Sequence, residues 1–132
     1  MEFNKKVLLI DDDNTILELV GASLYGTEFK LYTSTDPIEG VKIARKIQPD
    51  VILLDVMMPK IDGYMAGKAF KRNPSTKNIP IIFFTAKKTK DDIMKALTSG
   101  GIDYIAKPFN ISDLLAKLRK AVGLKKDKHD LK

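Results

Sequence analysis

Two short apolar runs, each ending in acidic residues, constrain the fold of this chain most. Residues 7–10 (V-L-L-I) lead into Asp11–Asp13, and residues 51–54 (V-I-L-L) lead into Asp55. Uninterrupted apolar runs of this length are typical of strands buried on both faces of a parallel sheet. Carboxylates directly after such strands lie at the carboxyl edge, where open α/β proteins place their binding sites. Converging carboxylates repel one another unless a cation joins them, so the pattern predicts a site for a small, hard metal ion.

The composition excludes several kinds of chemistry. The chain of 132 residues has no cysteine, which removes disulfides, thiolate metal sites and cysteine nucleophiles. Its one histidine, His129, lies near the end of the chain, so catalysis or zinc binding by histidine is not expected. No apolar stretch reaches membrane-spanning length and the first residues lack a signal-peptide pattern, which predicts a cytoplasmic protein with no membrane contact.

The excess of basic residues is a second compositional feature. Lys and Arg total 23 against 17 acidic residues, for a formal net charge of +6. Such an excess can indicate nucleic-acid binding. Here the lysines are scattered, no helix carries a basic stripe interleaved with aromatics, and the densest run is at 125–128. We interpret the charge as a lysine-rich solvated surface.

Strand and helix patterns alternate five times along the chain, which predicts an α/β fold with a doubly wound, five-stranded parallel sheet flanked by five helices. We place one domain at residues 1–123. A polar, lysine-rich tail at 124–132 is expected to be disordered. The predicted strands are 6–10, 29–33, 51–55, 81–85 and 104–106.

Capping residues and apolar spacing locate the helices. Asp13 or Asn14 caps the first helix, which Gly26 ends, and Asp36 caps the second, with Pro37 at its first position and Glu39 at its third. Helices are also predicted at 64–72 and 90–99, and a last one is capped by Ser112 and ended by Gly123. The predicted buried positions are Ile16, Leu17, Val20 and Leu24 in the first helix, Ile38, Val41, Ala44 and Ile47 in the second, and Leu115, Leu118 and Val122 in the last.

One common strand order of doubly wound sheets, 2-1-3-4-5, makes the first and third strands neighbours, about 4.8 Å apart. Asp11, Asp12 and Asp55 would then lie side by side, with Thr85 ending the fourth strand and Lys107 reaching over from the fifth. Carboxylates can hold Mg²⁺, and an aspartate can be the nucleophile that accepts a phosphoryl group. Metal, ammonium and hydroxyl balance the charge of phosphoryl oxygens, so this edge is predicted to be a phosphoryl site.

Four segments, in order and at the predicted strand ends, carry a family resemblance. They are V-L-L-I-D-D at 7–12, L-D-V-M-M-P-K-I-D-G at 54–63, F-T-A at 84–86 and D-Y-I-A-K-P-F at 103–109. With them the chain resembles the receiver domains of two-component response regulators, from about Lys5 to Val122. The resemblance implies the flavodoxin-like strand order 2-1-3-4-5 used above.

The resemblance also implies a metal site and a phosphoacceptor. Asp55 is expected to take a phosphoryl group from a phosphohistidine donor. Asp11 and Asp12 are expected to hold Mg²⁺, with Mn²⁺ as a substitute, together with the Asp55 side chain and the backbone carbonyl of Met57.

The remaining roles concern the switch. Thr85 is expected to bond a phosphoryl oxygen once Asp55 is modified, and Lys107 to pair with Asp55 or its phosphate. Tyr104 matches the aromatic that turns inward on activation. Lys87 follows Thr85 by two residues, a position that tunes phosphate lifetime in the family, although a solvated lysine is an equal interpretation. In the family the bond between Lys107 and Pro108 is cis.

The implied partners are a histidine kinase or histidine phosphotransfer protein as donor, and a downstream protein bound by the face of helix 4, strand 5 and helix 5. We expect no enzyme activity beyond the chain's own phosphorylation and slow dephosphorylation. The segment after Gly123 is too short for a helix-turn-helix, and the Met1 start with a short tail favours a stand-alone protein. Direct DNA binding is therefore not expected.

The sequence is also compatible with two other functions. Asp11–Thr15 fits the D-x-D-x-T pattern of haloacid-dehalogenase-like phosphatases, with Asp11 as nucleophile and with Thr85 and Lys107 in later roles. The immediate helix after the acidic run leaves no room for that family's flap, no late acidic pair completes its metal site, and the turn after Asp55 has no role in it. The other alternative is a receiver-like binding module that no longer needs phosphate.

Overall fold

The computed structural model describes residues 5–58, 61–86 and 89–130, and for residues 124–130 it describes the backbone alone. Its centre is a five-stranded parallel sheet with the order β2-β1-β3-β4-β5, which confirms the predicted topology. The strands are β1 (Lys5–Ile10), β2 (Phe29–Ser34), β3 (Val51–Leu54), β4 (Ile81–Thr85) and β5 (Gly101–Ala106).

Five helices cover the two faces of this sheet, as predicted. Buried residues of the second, third and fourth helices belong to one apolar cluster, and those of the first and fifth belong to the other. The helices are α1 (Asn14–Leu24), α2 (Pro37–Ile47), α3 (Gly63–Arg72), α4 (Lys90–Thr98) and α5 (Ile111–Asp130). Among the described residues, none of these helices is long and apolar enough to span a membrane.

The central strands supply both halves of the core. In β1, Leu8 and Ile10 enter the cluster under α2, α3 and α4, while Val7 and Leu9 enter the cluster under α1 and α5. All four side chains are fully buried. Because successive side chains of a strand point to opposite faces, burial on both faces requires an uninterrupted apolar run. The apolar runs at 7–10 and 51–54 therefore form the central strands β1 and β3 of the sheet.

The predicted buried face of α2 is partly wrong. Ala44 is buried and Val41 is partly buried, but Ile38 is 60% exposed. The helix instead presents Gly40 to β1, where a Cβ on Gly40 would lie 2.5 Å from Ile10 Cδ1. Gly40 therefore faces the sheet in this part of the helix, and Ile38 faces solvent.

The start and the end of α5 also differ from the prediction. Asn110, rather than Ser112, accepts a hydrogen bond from the backbone N–H of Asp113, at 2.7 Å. The helix does not end at Gly123 but continues to Asp130. The expected disorder of residues 124–132 remains a prediction. A glycine with negative φ costs a helix only about 1 kcal/mol, and the following lysines are good helix formers. The domain boundary at 123 remains a prediction.

The other ends lie close to their predicted places. Asp13 caps α1 by accepting a hydrogen bond from the backbone N–H of Thr15 at 2.9 Å, which confirms one of the two predicted caps. Asp36 caps α2 in the same way, with Pro37 in the first turn. β5 begins at Gly101, three residues before the predicted start, because the turn out of α4 is completed by Gly100 at φ 98°.

Candidate functional site

The carboxyl ends of β1 and β3 bring Asp11 and Asp55 together. Hydrogen bonding continues one residue beyond each strand: the N–H of Asp11 donates to Ser34 O at 3.0 Å, and the N–H of Asp55 donates to Ile10 O at 2.9 Å. The two aspartates thus leave the sheet side by side. Asp11 is fully buried and Asp55 is 3% exposed, so both carboxylates lie in a place where charge is poorly solvated.

Asp12 completes an acidic cluster with these two residues. One carboxylate oxygen from each of Asp11, Asp12 and Asp55 lies within 4.8 Å of the others, and Asp12 is exposed to solvent. Hard oxygen donors, with one side open to water, match the preference of Mg²⁺ for a few carboxylates and retained waters. The donor set therefore fits the predicted metal.

Lys107 places a positive charge against the buried pair. Its ammonium lies 2.6 Å from Asp11 Oδ2 and 3.6 Å from Asp55 Oδ2, and its side chain is 15% exposed. Its backbone N–H donates to Thr85 O at 2.9 Å, which joins it to the end of β4. The Lys107–Pro108 peptide bond is cis. One ammonium thus partly compensates two carboxylates.

The pKa of Asp55 reflects the crowding of negative charge in this cluster. Burial, and then the negative charge of Asp11, raise the pKa of the Asp55 carboxyl from its usual 3.8 to about 6. Lys107 and the N–H of Met57 act in the opposite direction, and Asp12 adds to the rise. Without a bound cation, the ionised form of Asp55 is less stable than that of an aspartate in water. A positive charge placed beside the carboxylate would stabilise the ionised form.

The loop after β3 is folded tightly against the phosphoacceptor candidate. The N–H of Met57 donates to Asp55 Oδ1 at 3.1 Å, and Met57 pairs with Asp62 in an isolated antiparallel bridge. The N–H of Gly63 donates to Val56 O at 3.1 Å, and a Cβ on Gly63 would lie 2.2 Å from Asp55 O. Gly63 was assigned no role from the sequence. A glycine at the start of a helix whose φ is not positive could have indicated a close backbone approach, since its conformation does not require glycine.

Thr85 and Tyr104 lie on neighbouring strands beside the cluster. Thr85 is fully buried at the end of β4. Tyr104 is 8% exposed and belongs to the core cluster that contains Phe83, so its ring faces inward. Its hydroxyl is buried without a hydrogen-bond partner among the described residues, and burial raises the pKa of Tyr104 to about 12. Lys87 lies outside the described residues.

Phe84 is a contact of the site that the sequence did not reveal. It is fully buried in β4, and the Lys107 ammonium lies 5.1 Å from the centre of its ring. The sequence shows a pair of phenylalanines before Thr85, but it does not show which of the two faces Lys107. That depends on the pleat of β4 and on the path of the chain after β5.

Comparison with known proteins identifies the family. The family model for the response regulator receiver domain matches residues 7–119, and the chain belongs to this family. It is 36% identical over 114 residues to the DNA-binding dual master transcriptional regulator RpaA of Synechocystis, covering 86% of this chain and 47% of that protein. It is also 35% identical over 114 residues to the probable transcriptional regulatory protein TcrX of Mycobacterium tuberculosis, with the same coverage of both chains.

Solved structures agree with this assignment. The chemotaxis protein CheY4 of Vibrio cholerae superimposes with a TM-score of 0.83 at 30% identity, covering 89% of this chain and 98% of that one. The receiver domain of a Pseudomonas aeruginosa sensor histidine kinase, with a magnesium ion in its active-site cleft, gives 0.82 at 29% identity, covering 90% and 98%.

The chain spans about half or less of the length of the first curated relatives it matches, at 47%, 47% and 26%. The family is that of the receiver domains of response regulators, which bind Mg²⁺ at an acidic pocket, and in this chain Asp11, Asp12 and Asp55 form such a pocket. Neither the phosphatase nor the phosphate-independent alternative is favoured by these findings.

Proposed function

We propose that Asp55 accepts a phosphoryl group from a phosphohistidine on a histidine kinase or phosphotransfer protein. The observation that carries this proposal is the position of Asp55: a buried carboxylate with a second carboxylate and an ammonium against it, at the carboxyl edge of the sheet. Burying a charged carboxylate costs free energy of folding, and the packing of an aspartate side chain does not offset that cost. Its use as a nucleophile explains why the cost is tolerated.

The reaction follows from this arrangement. A carboxylate oxygen of Asp55 attacks phosphorus in line with the leaving imidazole nitrogen; an O–P bond forms, the N–P bond breaks, and its electron pair returns to the imidazole. Lys107, already 3.6 Å from Asp55 Oδ2, meets the negative charge that arrives with the phosphoryl oxygens. Thr85 supplies a hydroxyl at the adjacent strand end. The chain therefore acts on its own side chain, and we propose no enzyme activity beyond this phosphorylation and its slow reversal by dephosphorylation.

Four groups would hold the metal ion: the carboxylates of Asp11, Asp12 and Asp55 and the backbone carbonyl of Met57. The acidic cluster supplies hard oxygen donors, which suit Mg²⁺ and equally Mn²⁺. Bound Mg²⁺ supplies positive charge for the phosphoryl oxygens in the transition state.

The output surface proposed here is the face of α4, β5 and α5. It carries a groove of about 470 Å³ lined in part by Ile93, Tyr104, Phe109 and Lys117. Tyr104 thus belongs both to the groove and to the strand next to Thr85. Movement of Thr85 toward a phosphoryl group would change the packing of Tyr104 and with it the groove, which converts added charge into a new binding surface.

The partner at this surface is proposed to be a protein. Exposed apolar side chains on α4 and β5 (Ile93, Met94, Leu97 and Ile102, 38–59% exposed) suit a protein partner better than a phosphate backbone. RpaA is a DNA-binding regulator, yet this chain covers 47% of it, so that property is not carried over. Absence of direct DNA binding, like a cytoplasmic location, remains a prediction.

The test is intact-mass analysis and peptide mapping after treatment with acetyl phosphate, with Mg²⁺, with Mn²⁺ or with EDTA. We expect a metal-dependent gain of one phosphoryl group at Asp55. It should be lost in Asp55→Asn and retained in Asp36→Asn, since Asp36 also follows a strand but caps α2 and lies outside the acidic cluster. Undiminished labelling of Asp55→Asn would overturn the assignment. Turnover of phosphate esters that Asp11→Asn abolishes would support the phosphatase, and neither adduct nor turnover would support the phosphate-independent module.

A further inference from the structure

The position of the Lys107 ammonium depends on more than its carboxylate partners. On one side it contacts Asp11 at 2.6 Å, and it lies 5.1 Å from the centre of the Phe84 ring. Its side chain is 15% exposed, so both interactions occur with little water present. A desolvated cation over an aromatic face is held more strongly than one on an open surface.

A lysine needs such a support because its stem is flexible. Four rotatable carbons let the ammonium follow the nearest carboxylate, and Asp11, at 2.6 Å rather than 3.6 Å, is nearer than Asp55. A second contact away from the carboxylates limits that freedom. Phe84 supplies this contact from a rigid position, since the centre of its ring lies 5.3 Å from that of Phe109 in an edge-to-face pair.

We propose that Phe84 is a positioning residue for phosphoryl transfer, whose ring face fixes the Lys107 ammonium between the two buried carboxylates. This inference rests on the proposed phosphoacceptor function of Asp55. Phe84 itself contacts no reacting atom; it acts through Lys107. Leucine at position 84 would keep an apolar side chain in the core but would remove the aromatic face.

Phe83 provides a matched control in the same strand. Both phenylalanines are fully buried, but they enter opposite core clusters. The centre of the Phe83 ring lies 5.3 Å from that of Tyr64, whereas the ring over which Lys107 lies is that of Phe84. Phe83→Leu therefore repeats the loss of a buried aromatic ring without touching the lysine.

The first measurement is the rate of labelling by acetyl phosphate at saturating Mg²⁺. We expect Phe84→Leu to slow labelling of Asp55 by roughly three- to tenfold, which lies within the roughly two- to thirtyfold that a cation–π contact allows, and Phe83→Leu to change it less than about twofold. Equal slowing in both variants, or no slowing in Phe84→Leu, would overturn the inference. Phe84→Met offers a second flexible replacement without an aromatic face if the leucine variant does not fold.

The second measurement is a double-mutant cycle in urea unfolding, with Phe84→Leu and Lys107→Met singly and together. Coupling should appear as a departure from additivity of roughly two- to thirtyfold in the unfolding equilibrium constant. The corresponding cycle with Phe83→Leu should be additive. Additivity in both cycles would show that no contact exists to position the lysine. The cycle does not use phosphate, so it separates failure of this inference from failure of the proposed function, which would appear as an unlabelled wild-type protein.

Discussion

At the scale of the residue, Asp55 combines two opposed requirements. Burial and the charge of Asp11 raise the pKa of its carboxyl to about 6, while Lys107 and the N–H of Met57 keep it from rising further. A nucleophilic carboxylate must be ionised, but in this place the ionised form is costly. The cost falls on the free energy of folding, because the carboxyl group is well solvated in the unfolded chain.

The dependence on pH follows from the direction of this shift. The folded protein holds the Asp55 proton more tightly than the unfolded chain, so stability falls as the pH rises from about 4 through the folded pKa of about 6. Asn at position 55 cannot ionise. Asp55→Asn without metal should therefore be more stable than wild type at pH 7, by about 1 to 2 kcal/mol after allowance for solvent screening.

Urea unfolding in EDTA at pH 4.5 and at pH 7, chosen to lie either side of the folded pKa of about 6, checks this expectation. The gain should be present at pH 7 and much smaller at pH 4.5, and above pH 7 it should remain constant. Asp12→Asn is the control: Asp12 is exposed, and its charge is the smallest of the causes that raise the pKa of Asp55, so this variant should gain much less. A gain at pH 4.5 as large as at pH 7 would contradict the assigned cause.

At the scale of the element, the first turn of α3 is held against the end of β3. Gly63 makes this possible, because a Cβ there would lie 2.2 Å from Asp55 O and 2.5 Å from Val56 Cα. Both neighbours are backbone atoms, which cannot move aside as a flexible side chain can. The helix and the strand must separate if position 63 carries any side chain, and Asp55 would move with the strand.

Gly63→Ala should therefore destabilise the protein by about 1 to 3 kcal/mol, although alanine is the better helix former. The matched control is Gly123→Ala, also in a helix but with nothing within 4 Å of its Cβ. That variant should gain about 0.5 to 1 kcal/mol from helix propensity. The two changes are chemically identical, so opposite signs in thermal unfolding would isolate the close approach. Equal gains would show that α3 does not contact β3 so tightly.

The elements also show what the sequence could and could not predict. The uninterrupted apolar runs placed β1 and β3 in the middle of the sheet, and with them Asp11 and Asp55, because burial on both faces leaves few alternatives. Apolar spacing in α2 did not predict the exposure of Ile38. The helix turns Gly40 toward Ile10 and Ile38 toward solvent, a tertiary arrangement that no local pattern records. The contact between Phe84 and Lys107 is likewise tertiary, and the local sequence did not predict it.

At the scale of the whole molecule, the net charge of the chain is positive, whereas the candidate site is acidic. The chain carries a net charge of +6, whereas its functional edge concentrates three carboxylates around one ammonium. Folding has to bring these carboxylates together, so it is opposed at this edge by their repulsion. A divalent cation that binds the folded cluster relieves that repulsion, and it therefore stabilises the entire domain and not only the edge.

The resulting linkage is measurable. At a free Mg²⁺ concentration 100 times its dissociation constant, the free energy of unfolding should rise by about 2.7 kcal/mol, provided that the unfolded chain does not bind the ion. Mn²⁺ should act likewise, since the site offers oxygen ligands. Asp11→Asn should lose most of the gain because Asp11 contributes a buried carboxylate, whereas Asp36→Asn, which alters only the cap of α2, should keep it. Unfolding curves at several Mg²⁺ concentrations distinguish these cases. An unchanged gain in Asp11→Asn would place the ion elsewhere on the molecule and would remove the metal from the proposed phosphoryl site.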